Sequence, residues 1–207
     1  MNIYLMRKII LLIAIVLPQP FKIFLYRHMM GWKIGKQVKI GLSYIDADEV
    51  IIGDNVHIGH FNIIRGLWSF QVGNNSYISN FNDFFGNKSN PNKWASKLVL
   101  GEKISFMSHH YVDVSGNVTI GSNTTVGGRD THFWSHTRTF NQAMTDLLPI
   151  DIHVGENVYI GARATLVGCN IPNGTVVGAG SIVNKTFAPE NCRFLIAGNP
   201  ATIKKRY

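Results

Sequence analysis

The stretch of sequence that decides the fold runs from Val154 to Val183 and reads VGENVYIGARATLVGCNIPNGTVVGAGSIV. Its aliphatic residues recur every six positions, with a one-residue slip in the middle, as Val154, Ile160, Leu166, Ile171, Val177 and Val183. An α-helix repeats about every 3.6 residues and an amphipathic strand about every 2, so neither explains this spacing. The pattern predicts a coil of short strands and bends, with aliphatic side chains inside and small residues where neighbouring backbones stack closely.

The same register runs back along most of the chain. With several phase slips it is carried by Ile34, Ile40, Ile52, Ile58, Ile64, Val72, Ile78, Phe84, Leu100, Phe106, Val112, Val118, Ile120 and Val126. A turn signature recurs beside it, as GDNVHIG at 53–59, GNNSYI at 73–78, GSNTTVG at 121–127 and GENVYIG at 155–161. Asparagine and glycine tolerate the left-handed backbone that a tight corner requires. We therefore expect the coil to extend from Ile34 to Val183.

Length and composition fit one domain with a small appendage. The chain has 207 residues, of which 45% are hydrophobic, and its 20 glycines suit a turn-rich repeat. The formal net charge of +8 favours an acidic partner, namely nucleic acid, a phosphorylated cofactor or an anionic membrane. The basic residues cluster at the chain ends and no nucleic-acid-binding signature is present, so we expect no nucleic acid. Cys169 and Cys192 lack CxxC spacing, which indicates reduced packing residues in a cytoplasmic protein.

Residues 1–30 are predicted to form an amphipathic helix outside the coil. The apolar run from Ile9 to Leu17 follows Arg7 and Lys8 and is shorter than the roughly 20 residues that cross a bilayer as a helix. The basic flanks favour an apolar face that rests on an anionic membrane surface. Packing of this helix on the domain or on a neighbouring subunit is the alternative.

Two stretches interrupt the register. Residues 87–97 are polar and contain a proline, which indicates a surface loop. Residues 127–151 form a longer loop with histidine, tryptophan and aspartate side chains that a core-filling repeat does not need, and such loops usually carry function. We therefore divide the chain into an N-terminal helix (1–30), a coil domain containing loop 127–151 (31–186) and a basic C-terminal extension (187–207).

Four segments resemble a known family. They are IGARATLVGCNIPNGTVVGAGSIV at 160–183, AGNPATIKK at 197–205, SHHYVD at 108–113 and FWSH at 133–136. With the repeat, they resemble the hexapeptide-repeat acyltransferases, and among these the O-acetyltransferases of capsule, O-antigen and colanic-acid biosynthesis. The resemblance implies an all-β, left-handed parallel β-helix, whereas the general rule for strand crossovers would predict the right-handed form. It also implies a homotrimer with active sites in the clefts between subunits.

The resemblance makes His136, the histidine of FWSH, the catalytic base. Transfer of an acyl group from a thioester to a hydroxyl requires a base for the hydroxyl proton and donors for the developing oxyanion. His132 is the alternative base, and Asp113 or Asp130 is expected to orient the imidazole. The acceptor is expected to be a carbohydrate, contacted by His109, His110, Asp113, Asp130, His132 and Trp134.

The sequence does not identify the acceptor sugar. Counting along the register places His109 near an asparagine that contacts the acceptor in galactoside-type members of the family. Their Asn-Phe-Asn motif occurs here at 80–82, a coil or more earlier, so local similarity and register disagree.

The donor implied by the resemblance is acetyl-CoA, and no metal is expected. Small residues let a pantetheine arm approach the backbone, and the predicted wall consists of Gly161, Ala162, Gly178, Ala179 and Ser181. Basic residues follow where nucleotide phosphates would need countercharge, as Lys185, Lys204, Lys205 and Arg206.

The sequence thus predicts a cytoplasmic acetyl-CoA-dependent O-acetyltransferase that acts on a sugar hydroxyl in surface-polysaccharide assembly, with peripheral contact to the inner membrane face. An N-acyltransferase acting on an amino sugar is an alternative within the same class. A zinc enzyme resembling the γ-class carbonic anhydrases would draw its ligands from His109, His110, His132 and His136. A non-catalytic solenoid module is the third alternative, and the concentration of titratable residues in one loop argues against it.

Overall fold

The computed structural model describes residues 3–88, 93–139 and 146–207, with side chains from residue 5 onward. Two helices, α1 (Ile3–Val16) and α2 (Gln19–His28), precede the strands. The strands are β1 (Lys33–Ile34), β2 (Lys39–Ile40), β3 (Tyr44–Ile52), β4 (His57–Ile58), β5 (Ile63–Val72), β6 (Tyr77–Ile78), β7 (Asp83–Gly86), β8 (Lys97–Leu100), β9 (Ser105–Phe106), β10 (Tyr111–Val114), β11 (Val118–Ile120), β12 (Thr125–Val126), β13 (His132–Trp134), β14 (His136–Arg138), β15 (Leu147–Pro149), β16 (Ile152–Val154), β17 (Tyr159–Ile160), β18 (Thr165–Val167), β19 (Asn170–Ile171), β20 (Val176–Val177), β21 (Ile182–Val183), β22 (Phe194–Gly198) and β23 (Ala201–Arg206).

The strands wind into a parallel coil with three faces. The first face stacks the starts of β3 and β5 with β7, β10, β13, β18 and β21. The second stacks β1 and the ends of β3 and β5 with β8, β11, β16 and β19, and the third runs from β2 through β4, β6, β9, β12, β17 and β20 to β22 and β23. Pairing from coil to coil is parallel throughout the described residues. The fold is the all-β, left-handed parallel β-helix that the family resemblance implied.

Burial confirms the six-residue register. Every side chain that the register predicts to face inward is at most 8% exposed. Phe84, Phe106 and Phe133 stack along the axis of the coil, with ring centroids 5.3 and 6.3 Å apart. Neighbouring strands lie about 4.8 Å apart, so the inward side chains of successive coils touch. The core is therefore a continuous column, to which each coil adds one or two side chains from each face.

Two corners of the coil use residues with left-handed backbone. At one corner φ lies between 56 and 59°, as the turn signature predicted, at Asn55, Asn75, Asn123 and Asn157. At the other corner φ lies between 58 and 62° at Phe61, Phe81, His109, Asp130 and Arg163. Bulky side chains rarely adopt this conformation, so sequence preference alone did not reveal the second corner.

The predicted loop 127–151 is shorter in the structure than the sequence suggested. Phe133 takes an inward position that an aliphatic residue holds in other coils, so β13 continues the first face. The excursion begins after Ser135 and includes the antiparallel pair β14–β15. Residues 140–145 of this loop, and 89–92 of the predicted loop 87–97, lie outside the described residues.

The N-terminal appendage consists of two helices packed on the coil, where the sequence predicted one. Pro18 separates them, because proline lacks the amide proton that would continue α1. Lys22 is 2% exposed and donates from Nζ to the carbonyls of Ile15, Ile40 and Gly41 at 3.0, 3.0 and 2.8 Å. One buried ammonium therefore ties both helices to the first coil.

The opposite side of both helices is apolar and exposed in the single chain. More than half of the side-chain surface is accessible at Leu5, Leu12, Ile13, Val16, Phe21, Phe24 and Met29. Within the described ranges, neither helix has the length and hydrophobicity that a membrane-spanning segment requires.

The C-terminal extension continues the third face. β22 pairs in parallel with β20, and β23 returns antiparallel along β22. Phe194 and Ile196 are fully buried and close the end of the core, while the basic residues 204–206 are exposed on the edge strand.

Candidate active site

His136 and Asp113 meet on the outer side of the first face. His136 begins β14 directly after the coil strand β13, and Asp113 lies on β10, one coil earlier. The imidazole Nδ1 is 2.7 Å from Oδ2 of Asp113, and the His136 side chain is 33% exposed. A carboxylate oxygen accepts hydrogen bonds, so this contact places the proton of a neutral imidazole on Nδ1 and the lone pair on Nε2. The exposed ring therefore has the tautomer of a general base.

Asp113 is held by further donors from Ser115 and Ser135. It is 2% exposed, and its Oδ1 accepts from the N–H and the hydroxyl of Ser115 at 3.2 and 2.6 Å. Its Oδ2 accepts from the N–H of Ser135 at 2.8 Å. These bonds offset the cost of burying a carboxylate and fix its direction toward His136.

An aromatic platform, formed by Tyr111, His132 and Trp134, lies beside His136. Tyr111 and His132 are register partners on β10 and β13, with ring centroids 6.2 Å apart. The Trp134 ring lies 5.1 Å from Tyr111 and 6.3 Å from His136. Partly exposed rings next to a titratable group suit a ligand that has both apolar and hydroxyl faces. Two of the predicted acceptor contacts, His132 and Trp134, are therefore brought to the site.

His132 differs from His136 in its surroundings. It makes edge contacts with the rings of Tyr111 and Trp134 and has no carboxylate partner among the described residues. Its position fits acceptor binding better than the role of base, which the sequence left as an alternative.

His110 lies in the core, so the expected acceptor contact is wrong for this residue. It is 2% exposed, and the N–H of Thr131 donates to its Nδ1 at 3.1 Å. Desolvation by burial lowers its pKa to about 4. His110 extends an interior ladder in which Oδ1 of Asn62 accepts from the N–H of Asn82, and Oδ1 of Asn82 accepts from the N–H of His110 at 2.9 Å.

His109 lies on the exposed corner at the end of β10 away from Asp113. Its ring stacks on Phe81 at 5.0 Å. In the coil register, Phe81 and Asn82 correspond to His109 and His110. Within the coil, the buried His110 therefore takes the position of Asn82, and His109 takes that of Phe81.

Asp130 does not reach His136. Its carboxylate lies 3.6 Å from Arg129 and 3.7 Å from Arg163 at the same corner as His109. Of the two carboxylates that the sequence offered for orienting the imidazole, Asp113 is the one that contacts His136.

The predicted cofactor wall forms a corner of small residues at the starts of β18 and β21. A Cβ added to Gly161 would lie 2.6 Å from the backbone nitrogen of Ala179, and one added to Gly128 would lie 2.5 Å from Cβ of Ala162. Close stacking therefore requires small residues at this corner. Ser181 belongs to its interior, because the side chain is 1% exposed and donates to the carbonyl of Gly178 at 2.6 Å.

The four predicted basic residues are not equivalent. Nζ of Lys204 lies 3.8 Å from the position that a Cβ on Gly198 would take, close to the small-residue corner. Arg206 pairs with Glu190 at 2.9 Å, and Lys205 lies over the ring of Tyr207. Lys185 contacts Phe187, beyond the far end of β21. Lys204 is thus the predicted cation with the best position for a nucleotide phosphate.

The four histidines proposed as zinc ligands are dispersed. His110 is in the core, His109 is at a corner, and His132 and His136 are on the outer face. Within the described ranges, no three metal-binding side chains come together.

Three residues around the His136–Asp113 pair were not predicted from the sequence. Tyr111, Ser115 and Ser135 bear no signal of their own, although Tyr111 and Ser135 stand inside the segments SHHYVD and FWSH. Ser135 and His136 are adjacent, so two groups that donate to the Asp113 carboxylate come from one dipeptide.

Comparison by sequence gives short matches. No model of a known protein family matches the chain. A protein of Staphylococcus aureus (strain COL) assigned as an acetyltransferase is 39% identical over 56 residues, which are 27% of this chain and 27% of that protein. The match thus spans about a quarter of the relative's length.

Comparison by structure covers most of the coil. The polySia-specific acetyltransferase NeuO aligns with a TM-score of 0.65 and 22% identity, over 84% of this chain and 75% of that chain. A hexapeptide-repeat-containing acetyltransferase from Vibrio cholerae O1 biovar eltor, complexed with acetyl-CoA, aligns with a TM-score of 0.50 and 17% identity, over 95% and 82%. The fold is that of the hexapeptide-repeat acetyltransferases, as the sequence resemblance implied.

Proposed function

We propose that the protein is an acetyl-CoA-dependent O-acetyltransferase that acts on a sugar hydroxyl in surface-polysaccharide biosynthesis. The observation that carries the proposal is the hydrogen bond between His136 Nδ1 and the buried carboxylate of Asp113. The fold supports it, because structures with this coil include an acetyltransferase complexed with acetyl-CoA and one named as specific for polySia.

In the proposed reaction His136 acts as general base without a covalent enzyme intermediate. Nε2 takes the proton of the sugar hydroxyl while the hydroxyl oxygen attacks the thioester carbonyl carbon. The imidazolium is stabilised by the Asp113 carboxylate at 2.7 Å. When the tetrahedral intermediate collapses, the carbon–sulfur bond breaks, and Nε2–H returns the proton to the departing thiolate. The products are the sugar acetate ester and CoA.

The donor would lie along the small-residue corner, and a second copy of the chain would complete the site. Gly161 and Ala162 come before β18, whereas His136 comes after β13, so the wall and the base stand at opposite ends of neighbouring strands. The paired strands between them span three residues, roughly 10 Å, and the residues that lead to Ala162 at one end and to His136 at the other add to this separation. A cyclic trimer, in which the corner of one chain faces His136 of the next, would bring the two together.

The exposed apolar side of α1 and α2 is proposed to rest on an anionic membrane surface, which would keep the protein near membrane-linked glycan intermediates. The side facing the coil is fixed by Arg7 and Lys22, so the two helices present their outer residues on a rigid body. Leu12 on α1 and Phe24 on α2, 58% and 61% exposed, are two of the large apolar side chains on that side.

Mass spectrometry of the product tests the reaction. Purified protein is incubated with acetyl-CoA and deacetylated surface glycan from the source cells, and each sugar is examined for one added acetyl group. Alkali-labile acetyl on oxygen is the expected result. Alkali-stable acetyl on nitrogen would establish the N-acyltransferase alternative instead, and unmodified glycan with no CoA released would reject the proposed function.

A further inference from the structure

A basic cleft lies between α1 and the first face of the coil. Its volume is about 620 Å³, and four cationic side chains line it together with two aromatic ones: Arg7, Lys8, Arg65, Lys88, Phe85 and Trp68. Two carboxylates, Asp46 and Asp48, also belong to it. The lining therefore carries two positive charges more than negative ones.

Three of the four cationic side chains form ion pairs with the two carboxylates of the cleft wall. Asp48 binds Arg7 at 2.8 Å and Lys88 at 2.6 Å. Asp46, 2% exposed, binds Arg7 at 3.2 Å and also Lys8. These ion pairs hold α1 against β3, which gives them a structural role.

Arg65 is arranged differently. Its guanidinium carbon lies 5.1 Å from the ring centroid of Phe85, and no described carboxylate lies within ion-pair distance of it. The neighbouring carboxyl is Asp83, whose pKa is raised by burial, with Arg65 opposing the shift. A guanidinium that stacks on an aromatic ring has fewer accessible side-chain conformations. Its N–H groups at the edge can still donate to a planar anion.

The coil register connects Arg65 to the catalytic pair. Phe85 is the strand partner of Arg65 on one side and of Asp113 on the other. With about 4.8 Å between strands, Arg65 lies two coils, roughly 10 Å, from Asp113. That distance corresponds to about one or two sugar rings, and Phe85 lies on the strand between the two residues.

We infer that Arg65, supported by Phe85, forms a subsite for an anionic group of the acceptor, either a carboxylate or a phosphate, two coils away from the His136–Asp113 pair. This inference rests on the proposed function and narrows the acceptor to an acidic glycan. The planar fork of Arg65 would bind two oxygens of the anion while the apolar face of the sugar lies over Phe85.

Binding of three matched sugars tests the subsite. Galactose, galacturonic acid and galactose 1-phosphate are titrated by NMR into the full-length protein at low salt, without acetyl-CoA. Arg65→Gln removes the guanidinium from an exposed strand position. Lys103→Asn is the control, because it removes one positive charge at the corner where Asn75 and Asn123 hold the equivalent position. Circular dichroism verifies the fold of both variants.

The expected result is that at least one anionic sugar binds about tenfold more tightly than galactose. Arg65→Gln removes that preference and Lys103→Asn retains it. A preference confined to galacturonic acid identifies a carboxylate, and one confined to galactose 1-phosphate identifies a phosphate. Equal binding of the three sugars, no binding of any, or a preference that survives in Arg65→Gln overturns the inference. The titration needs no turnover, so a protein that fails to transfer acetyl yet keeps this preference would refute the proposed function alone.

Discussion

His110 and His136 both belong to short histidine-containing motifs, yet the coil gives them opposite environments. His136 is one-third exposed and bonded to a carboxylate, while His110 is enclosed between Phe106 and the backbone of the next coil. The sequence predicted a functional role for both, His136 as the base and His110 as an acceptor contact. His109 and His110 are adjacent, and His110 faces inward because His109 takes the left-handed backbone conformation at the corner before β10. The sequence did not show which of the two would take that conformation.

Burial of His110 predicts a pH dependence of stability. Its pKa is about 4 in the folded protein against 6.5 for an ordinary histidine, so between these values the unfolded chain binds a proton that the folded chain does not. The free energy of unfolding is therefore expected to fall as the pH is lowered from 6.5 to 4, by about 3 kcal/mol from this residue. Above pH 6.5 the residue contributes no pH dependence.

The matched variant is His110→Asn, because asparagine occupies the same ladder position at Asn62 and Asn82. Urea unfolding of both proteins between pH 4 and 7 should show a shallower loss of stability in the variant. Identical slopes would contradict a buried neutral His110. Other titrating groups are common to both proteins and cancel in the comparison.

At the scale of elements, the regular strands were predictable and the irregular ones were not. The positions of the coil strands follow from the inward-facing residues that recur every six positions. The hairpin β14–β15 has no such repeat, because its position depends on how the chain packs against other segments. The one-residue slip between Leu166 and Ile171 is an example. A Cβ added to Gly168 would lie 2.4 Å from the Ile150 side chain, and the N–H of Gly168 donates to the carbonyl of Trp134 at 3.2 Å. The slip therefore leaves room for the chain that returns after β15, which is a contact between segments distant in sequence.

The N-terminal helices are the other element with a testable role. The double variant Leu12→Gln, Phe24→Gln is expected to lose most co-sedimentation with anionic liposomes, because it removes two large apolar side chains from the surface that would enter the lipid headgroup region. Both side chains are exposed in the single chain, so the fold should not change.

Val176→Gln serves as the control for this measurement. Val176 is an exposed apolar residue on the third face, remote from the helices, and its loss should leave sedimentation unchanged. Equal sedimentation of wild type and the double variant would show that the exposed helix face does not bind membrane. Deletion of residues 1–30 is less informative, because it would also remove the buried Lys22 and Tyr26.

At the scale of the whole molecule, the fold was predictable to a greater extent than the assembly. A coil is specified by contacts between residues about one turn apart, which the sequence displays as a period. Contacts between copies leave no such period. The uncovered small-residue corner and the exposed His136 are the features that point to a second chain.

Complementation tests a site shared between chains. His136→Ala removes the base, and Ala179→Trp covers the exposed wall while leaving the core intact. Each variant alone should be inactive. Trimers that contain both chains have one intact site, so random mixing after refolding together should restore about a quarter of wild-type activity. No recovery, from mixtures shown by native mass spectrometry to contain both chains, would place each site within one chain.

In the proposed reaction, His136, oriented by Asp113, removes the proton of the acceptor hydroxyl. The most direct measurement is the rate of CoA release in the presence of glycan acceptor by wild type and by His136→Ala, with His153→Asn, an exposed histidine on the second face, as control. We expect His136→Ala to lower kcat by roughly 100-fold or more with little change in the KM for acetyl-CoA, and His153→Asn to retain wild-type turnover. Near-wild-type kcat in His136→Ala would show that His136 is not the base.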